Sequence, residues 1–393
     1  MFLKYYQDEL AWLREMGREL AEARPELARH LAEPGADPDV ERLLEGFACL
    51  TGRIRQKLDD EFPELTHGLL DMLCPHYLRP IPSLVILQVK VKPNAQAPGL
   101  VLPREALVES VPVDGTRCRF RTVAELATSP VELQELEFTV GNPSALRLRL
   151  RTVPRRSVAE LQARPLRLHL AGEPATARAL LVALCHYTRR TTASNGAGGA
   201  HRELPLELRV GGLGDAEAAL PTPSGAFEGF RVLQEYFAFP ERFSFVDVHG
   251  LGRLGDGGGG SGEFELRFEF RDLPEAMPPI GSGNVLLDCV PAINLFRHDA
   301  DPIRAEPGRS EYRVRPTGAE QAHYEVHSVE AVEGRVRGSA DVQTYPPFFA
   351  FDPHGRASGR FHQLRRRESL RGSGTETYLR LGAEDPTRWH DLE

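Results

Sequence analysis

The chain has 393 residues, enough for two or three domains that each bury a core of their own. Apolar residues make up 41% and charged residues 26%, which is ordinary for a globular protein. The formal net charge of −8 excludes a global basic field that would attract nucleic acid or an anionic membrane surface. No apolar run approaches the roughly 20 residues of a membrane span, and the charged N-terminal segment lacks the apolar stretch of a signal peptide. We therefore expect a cytoplasmic protein without direct membrane insertion.

Residues 1–80 carry the apolar spacing of α-helices. From Leu3 onward, apolar or small residues recur at alternating steps of three and four, with charged residues on the other faces. This first seam consists of Leu3, Tyr6, Leu10, Leu13, Gly17 and Leu20. Pro25 then restarts a short helical piece that carries Leu27 and Leu31.

A second long helix is predicted to begin at Pro38, because Asp37 supplies an N-cap oxygen and proline is tolerated at the first helical position. Its seam consists of Val40, Leu44, Phe47, Thr51, Ile54 and Leu58. Pro63 starts a third helix that ends near Pro75. Small residues in the seams permit close approach of helices, and the pattern suits a bundle formed either within this chain or with helices of another chain.

After Pro80 the period changes to two, as in half-buried strands. The alternating segments are SLVILQVKVK, ALRLRLRTV, PLRLHLAG, LPLELRV and EFELRFEF. The pattern predicts an α+β chain: an N-terminal helical bundle, then predominantly antiparallel β-sandwich-like modules at 81–235, with an inserted helix at ATARALLVALCHY, and at 236–393. Glycine-rich stretches at 194–201 and 255–262 are interpreted as loops, the second joining neighbouring strands.

Residues Gly250 to Gly255 spell GxGxxG after a strand-like segment. A dinucleotide site needs the third glycine to open a helix whose N-terminus holds the pyrophosphate. Here a strand-like segment follows the glycines, so we interpret the motif as a glycine-rich loop and expect no cofactor. Walker A, HExxH and GxSxG sequences are absent from the chain, and we predict no catalytic residues.

Metal and redox chemistry are equally poorly supported by the sequence. Asp59, Asp60 and Glu61 precede Pro63, where carboxylates favour a helix N-terminus, and His67 and Asp71 lie one helical turn apart on its polar side. Because no second ligand pair has a recognisable spacing, we predict no metal site. Five cysteines lie far apart and form no CxxC pair; Cys49 and Cys74 stand among apolar neighbours and are predicted to be small core residues, while Cys118, Cys185 and Cys289 complete the set of free thiols.

Two arginine groups could contact phosphates: Arg147, Arg149 and Arg151 on one strand face, and the run Arg365 to Arg367. The chain is negatively charged overall and interleaves no aromatic platform with these groups. We interpret them as a solvated strand face and a loop, and expect no nucleic-acid partner.

Several stretches resemble the TssF family, also called VasA or ImpG, of type VI secretion system baseplate subunits. The resemblance is carried by YYQDELAWLREMGRELAEARPELARHL and DPDVERLLEGFACLTGRIRQKLDDEFPELTHGLLDMLCPHYLRPIPS near the N-terminus. It continues in order through FEGFRVLQEYFAFPERFSFVDVHGL, CVPAINLFRHDADPI and HSVEAVEGRV. The family usually continues through a further C-terminal region, whereas this chain ends at Glu393.

The resemblance implies a non-enzymatic scaffold of the baseplate wedge. Its implied partners are TssG, a second copy of the chain, TssK, TssE and the VgrG hub. The candidate protein interface consists of Leu3, Tyr6, Leu10, Leu13, Val40, Leu44, Phe47 and Ile54, although the same residues suit an intramolecular core. The alternative function is that of a β-rich binding module, or of an enzyme whose site is assembled from distant loops.

Overall fold

The computed structural model forms two compact units, Met1–Leu78 and Arg79–Glu393. The first is helical and the second is built mainly of antiparallel sheets, which confirms the predicted α+β class. The structure describes residues 2–24, 26, 38–59, 63–91, 99–154, 156, 158–195, 201–222, 226–254, 262–274, 277–306, 309, 311–318, 323–335, 342–348, 360–369 and 374–383.

The helical unit contains α1 (Phe2–Ala23), α2 (Pro38–Asp59) and α3 (Pro63–Leu73), followed by a 3₁₀ turn over Pro75–Leu78. The predicted helix starts at Pro38 and Pro63 are confirmed, as expected for a ring that needs no amide hydrogen there. The short piece predicted around Leu27 and Leu31 lies outside the described residues. Within the described ranges, no helix is long and apolar enough to cross a membrane.

Helices α1 and α2 pack together in antiparallel directions. Arg14 pairs with Glu41 near the start of α2, whereas Glu9 accepts a hydrogen bond from Arg55 at 2.8 Å near its end. At the crossing, a Cβ atom on Gly52 would lie 3.1 Å from the backbone nitrogen of Tyr6. Glycine therefore sets how closely the two backbones approach, a role that the sequence pattern assigned to its neighbour Thr51.

The strands of the second unit are short, and only some of them, such as β7, show the predicted alternation, whereas β15 is buried throughout. In chain order they are β1 (Leu84–Gln88), β2 (Val101–Leu102), β3 (Leu107–Val113), β4 (Thr116–Thr122), β5 (Leu126–Ala127), β6 (Val131–Thr139), β7 (Ser144–Thr152), β8 (Leu166–Leu170), β9 (Thr188–Asn195), β10 (Arg202–Glu203), β11 (Glu207–Val210), β12 (Phe245–His249), β13 (Glu263–Phe270), β14 (Val285–Leu286), β15 (Cys289–Ile293), β16 (Glu311–Arg313), β17 (Glu333–Arg335), β18 (Val342–Thr344), β19 (Arg360–Glu368) and β20 (Thr375–Ala383). Two helices interrupt them, α4 (Pro174–Val182) and α5 (Glu228–Ala238).

Two sheets form a sandwich around the main core. Their strand orders are β10-β9-β13-β7-β6 and β11-β12-β8-β14, and every ladder within them is antiparallel. Leu148 of β7, Leu168 of β8 and Phe268 of β13 are all fully buried in one shared cluster. The period-two faces of the two sheets therefore meet, as in other aligned sandwiches.

Further sheets flank this core. Their strand orders are β1-β15-β4-β3, β16-β20-β19, β17-β18 and β2-β5. The first of them brings together strands that are far apart in the chain, because Leu84 of β1 pairs with Ile293 of β15.

The predicted boundary at residue 235 between two β-rich domains is wrong. Strand β12 pairs with β8 and β11, and β13 pairs with β7 and β9, so strands from both sides of the boundary share each sheet of the sandwich. The stretch 255–262, expected to join neighbouring strands, lies outside the described residues apart from Gly262; the strands before and after it, β12 and β13, belong to different sheets. Pairing between distant strands is a tertiary property that local alternation does not encode.

Helix α5 rests on the second unit through its charged side. Glu235 is completely buried and its Oε1 accepts the backbone N–H groups of Ala219 at 3.0 Å and Leu220 at 2.9 Å. Arg231 donates to the same carboxylate at 3.3 Å, and Arg242, from the 3₁₀ turn after the helix, also pairs with it. These hydrogen bonds and ion pairs of the Glu235 carboxylate hold this side of α5 against the rest of the unit.

Candidate protein interface

The inner side of α2 is narrow and made of small residues. Ala48 is completely buried and Gly52 is also buried, one helical turn later, where the helix meets α1. Leu44, one turn earlier, is half-buried. The contact with α1 therefore covers a strip of α2 and leaves Leu43, Phe47, Leu50, Ile54 and Leu58 exposed.

The structure divides the eight predicted interface residues into two groups. Leu10 is buried, and Tyr6, Leu13, Val40 and Leu44 are half-buried within the helical unit. Leu3, Phe47 and Ile54 are exposed. The first group belongs to the intramolecular packing, and the second remains free to contact another protein; that these three do so stays a prediction.

The sequence pattern missed a second apolar stripe on the outside of α2. It begins at Leu43, whose side chain is 74% exposed, and continues at steps of four, three and four through Phe47, Leu50 and Ile54. This spacing is as regular as that of the predicted seam and shares two of its residues. The two stripes overlap because α2 has apolar residues over more than half of its circumference, so periodicity alone did not decide which one faces inward.

Helices α1 and α3 also expose large apolar side chains. We define the outer helical surface as the exposed apolar residues of the unit: Leu3, Trp12, Met16, Leu20, Leu43, Phe47, Leu50, Ile54, Leu58, Leu69, Leu70, Met72 and Leu73. Scattered apolar residues are normal on any protein surface, whereas such a concentration on three helices is typical of surfaces that contact other proteins; that this surface does so is a prediction.

The predicted core position of Cys49 is wrong. Its side chain is exposed, because it follows Ala48 directly and so lies about 100° around the helix from the buried strip. Cys74 is half-buried, Cys185 is exposed and Cys289 is buried, and each of the five cysteines is a free thiol. Burial raises the pKa of the Cys289 thiol to about 12, which keeps it protonated and unreactive.

The arginine face of β7 is neutralised by the strand beside it. Arg149 pairs with Glu135 at 2.7 Å and Arg151 pairs with Glu132 at 3.1 Å, while Arg147 lies 3.0 Å from Glu137. All three glutamates belong to β6, the neighbouring edge strand. The face is a cross-strand ladder of ion pairs and offers no row of unopposed positive charge for phosphates.

The second arginine group is occupied in a similar way. Arg365 and Arg367 pair with Glu311 at 3.2 Å and 2.6 Å, and Arg366 donates a hydrogen bond to the carbonyl of His327. The run lies in strand β19, where the sequence analysis expected a loop. Its charges stabilise the contact of β19 with the segments around it.

Two of the three glycines of the GxGxxG sequence, Gly250 and Gly252, have a structural explanation, and Gly255 lies outside the described residues. Gly250 has a φ of +95°, which glycine adopts without strain, and Leu251–Leu254 then form one 3₁₀ turn. A Cβ atom on Gly252 would collide with Gln162 in the facing 3₁₀ turn. Gly250 and Gly252 thus allow a tight turn and close packing, and in the described part of the chain the strands on either side of the motif, β12 and β13, each pair only antiparallel.

The described part of the chain offers few groups that could support the alternative enzymatic function. One recess of about 410 Å³ is lined by Glu109, Thr116, Arg117, Arg119 and Tyr324, together with two glycines. Arg117 and Arg119 form ion pairs with Glu109 at 3.7 Å and 3.2 Å, so the charged groups of the recess are paired with each other. Among the described residues, no three His, Cys, Asp or Glu side chains come together as metal ligands; Asp60 and Glu61 lie outside that part.

Comparison with known proteins identifies the family. The family model described as "Type VI secretion system, TssF" matches residues 1–391. The chain belongs to the TssF family. It is also 36% identical to the type VI secretion system component TssF1 of Pseudomonas aeruginosa strain PAO1, over 99% of this chain and 69% of that protein. The family resemblance inferred from the sequence blocks is thereby confirmed.

A solved structure shares the fold. The cryo-electron microscopy structure of the type VI secretion system TssK-TssF-TssG baseplate subcomplex contains a chain that matches with a TM-score of 0.73 and 31% identity, over 87% of this chain. This chain spans 66% of the length of that chain, slightly less than two thirds. TssF is thus a structural baseplate component and not a family of known enzymes.

Proposed function

We propose that this chain is a structural subunit of a type VI secretion baseplate and that it binds TssG-type and TssK-type proteins. Membership of the TssF family and the likeness to a chain from a TssK-TssF-TssG subcomplex support the proposal. The observation that carries it in this molecule is the outer helical surface, which an isolated chain would leave in contact with water.

The charge pattern of the helical unit suits a helical partner. The Arg14–Glu41 and Arg55–Glu9 pairs lie along the α1–α2 contact, whereas the stripe from Leu43 to Ile54 is apolar. A stripe with alternating steps of three and four accepts a second apolar helix by interlocking of side chains. We therefore assign the outer helical surface to helices of the TssG-type partner.

Further contacts belong to the same proposal. The family resemblance supports association with a second copy of the chain, with the TssE-type protein and with the VgrG hub. The chain spans about two thirds of the length of these relatives.

Co-expression tests this function. The full chain is produced together with a TssG-type protein from the same organism, captured by a tag on one partner, and the mass of the complex is measured. We expect a stable complex. Leu43→Glu combined with Leu50→Glu should weaken it about tenfold or more, because charges would enter an apolar contact.

A matched control separates binding from folding. Val140 in the second unit is 77% exposed, comparable to Leu43, so Val140→Glu makes the same chemical change away from the helices. It should leave the complex intact, and all variants should unfold at the temperature of the original chain. A chain that stays alone beside its TssG-type partner contradicts the proposed function, whereas a complex insensitive to the helix variant contradicts only the assigned surface.

A further inference from the structure

The hairpin of β3 and β4 extends beyond the sheet to which it belongs. Within the described residues, β4 pairs with β15 only through Arg121 and Thr122, and the rest of the strand pairs with β3 alone. Side chains alternate between the two faces of a strand, so Arg117 and Arg119 lie on the same face of β4. Glu109 of β3 is the cross-strand partner of Arg119 and lies beside both arginines.

The recess beside this face is closed on its other side by residues from a later part of the chain. The Thr116 hydroxyl lies 2.6 Å from Nδ1 of His323, and the Arg119 guanidinium lies over the Phe296 ring, 5.5 Å from its centroid. Tyr324 lines the recess and contacts Phe296 edge to face, with ring centroids 6.3 Å apart. These contacts hold the hairpin against the aromatic residues and fix the position of Arg119.

The recess contains more hydrogen-bond donors than its own acceptors use. Arg119 donates to Glu109 at 3.2 Å, whereas Arg117 lies 3.7 Å from the same carboxylate, which is beyond hydrogen-bond distance. A guanidinium has five N–H donors, and within the described residues Arg117 has no hydrogen-bond partner. The Tyr324 hydroxyl has none there either. Two guanidinium groups and one carboxylate also leave one positive charge in excess among the lining residues.

We propose that the recess binds the carboxylate of an aspartate or glutamate side chain in a segment of another protein. The Arg117 guanidinium donates two parallel N–H groups to the carboxylate oxygens, the pairing that these two planar groups favour. Tyr324 supplies a further donor, and the bound group neutralises the excess positive charge. Gly115 and Gly318 leave the recess open to the incoming side chain, since no atom lies within 4 Å of the place where a Cβ would stand on either residue.

A phosphate group fits the recess less well. It carries about 1.5 to 2 negative charges at pH 7, more than the single positive charge in excess, and its second charge would face Glu109.

A small free carboxylate also fits less well. The Arg117 side chain is 63% exposed, and an isolated ion pair at an exposed site contributes little to binding. The carboxylate therefore needs the additional contacts that a protein segment makes around the recess. All the lining residues belong to the second unit, so a failure of this binding would leave the outer helical surface and the proposed function untouched.

Binding of a defined acidic peptide tests the proposal. The probe is a short rhodamine-labelled peptide of alternating glutamate and glycine with an amidated C-terminus, and its control carries glutamine in place of each glutamate. Fluorescence anisotropy with the full chain at low salt gives both dissociation constants. We expect the full chain to bind the glutamate peptide and not the glutamine peptide. Equal binding of the two peptides, or binding of neither, overturns the proposal.

A pair of arginine variants assigns the binding to the recess. Arg117→Gln should weaken binding of the glutamate peptide about tenfold, because it removes the charged donor. Arg178→Gln changes an exposed arginine of α4 in the same way and should leave the dissociation constant unchanged. Both variants should unfold at the temperature of the original chain, since both side chains are exposed. Equal effects of the two variants contradict the assigned site.

Two further variants and two competitors test the chemistry of the recess. Glu109→Gln should strengthen binding several-fold, because it removes the carboxylate that competes for Arg117 and Arg119; a merely structural role of Glu109 predicts no such gain. Tyr324→Phe should weaken binding about threefold. Weaker binding by Glu109→Gln overturns the proposal. So does displacement of the peptide by inorganic phosphate at lower concentrations than by acetate, or tighter binding of a peptide whose only carboxylate is its C-terminus.

Discussion

Glu235 and Arg242 form an ion pair inside the β-rich unit, where the side chains are 0% and 1% exposed. Glu235 comes from α5 and Arg242 from the turn that follows it, so the pair joins the helix to the chain that leads into β12. Arg231 adds a second cation to the same carboxylate. The arrangement holds the charged side of α5 against the protein and thereby presents the aromatic side to solvent.

Replacement of Glu235 by alanine should therefore destabilise the protein strongly. It leaves Arg231 and Arg242 buried without their carboxylate and removes the acceptor of two backbone N–H groups. Breaking a buried pair by removing one partner costs about 3–5 kcal/mol. Urea unfolding of the full chain measures the loss, with Glu228→Gln at an exposed position in the first turn of the same helix as a control that changes stability little. A loss below about 1 kcal/mol for Glu235→Ala would show that the buried pair does not hold the helix.

Two glycines of α2 should respond in opposite ways to alanine. Gly46 has open space where a Cβ would lie, so Gly46→Ala should stabilise the protein by about 0.5–1 kcal/mol through helix propensity. At Gly52 the Cβ would lie within 3.1 Å to 3.3 Å of three backbone atoms of α1, and a backbone cannot rotate away. Gly52→Ala should lose that gain or become destabilising, as measured by thermal unfolding. Equal stabilisation at both positions is incompatible with close α1–α2 packing.

Two buried histidines should make stability depend on pH. Burial lowers the pKa of His169 and of His327 to about 4, from an ordinary value of 6.5, and nearby arginines including Arg79 contribute at His327. Between about pH 6.5 and pH 4 the unfolded chain therefore binds more protons than the folded protein. The free energy of unfolding should fall as the pH falls through this window, by up to about 3 kcal/mol for each histidine, and the full contribution is present above pH 6.5.

His169→Leu tests this assignment, since it removes one of the two titrations. Urea unfolding between pH 4 and pH 7 should then show a shallower loss of stability than in the original chain. His67→Leu, at an exposed position of α3, serves as the control and should retain the original slope. An unchanged slope for His169→Leu refutes the role of this side chain.

The cysteines should separate by reactivity. A thiol reagent at pH 8 should label the exposed Cys49 in the folded chain and should leave Cys289 unmodified until the protein unfolds, because Cys289 is buried and its thiol has a pKa near 12. Mass spectrometry of the labelled peptides measures both. Labelling of Cys289 at the rate of Cys49 in the folded chain would be inconsistent with its position in strand β15.

Paired arginines should not bind nucleic acid. We expect no retardation of DNA or RNA by the full chain at low salt, because the arginines of β7 face the glutamates of β6. Changing Glu132, Glu135 and Glu137 together to glutamine removes the ion pairs of Arg149 and Arg151 with β6 and leaves Arg147 only its pair with Glu265, and it should produce weak, salt-sensitive retardation. Retardation by the original chain would mean that the glutamates do not neutralise this face.

The sequence by itself determined the local elements of this protein. Proline at positions 38 and 63 starts helices α2 and α3, and the alternation of Phe264, Leu266, Phe268 and Phe270 marks the buried face of β13. These features follow from backbone chemistry and side-chain period, which act over a few neighbouring residues. The long blocks near the N-terminus were also sufficient to identify the family.

Only the tertiary structure decided which faces of these elements are covered. Phe47 and Ile54 fit a seam by spacing, yet the small strip of Ala48 and Gly52 meets α1 because it permits closer approach. Helix α5 reads as amphipathic in the same way as any surface helix, and its apolar side would be predicted to point inward. Its orientation depends on acceptors and donors at Ala219, Leu220 and Arg242, which the fold brings to Glu235. Which face of a helix is buried depends on all the contacts that the fold offers to that helix, and a periodic sequence pattern describes only its apolar contacts.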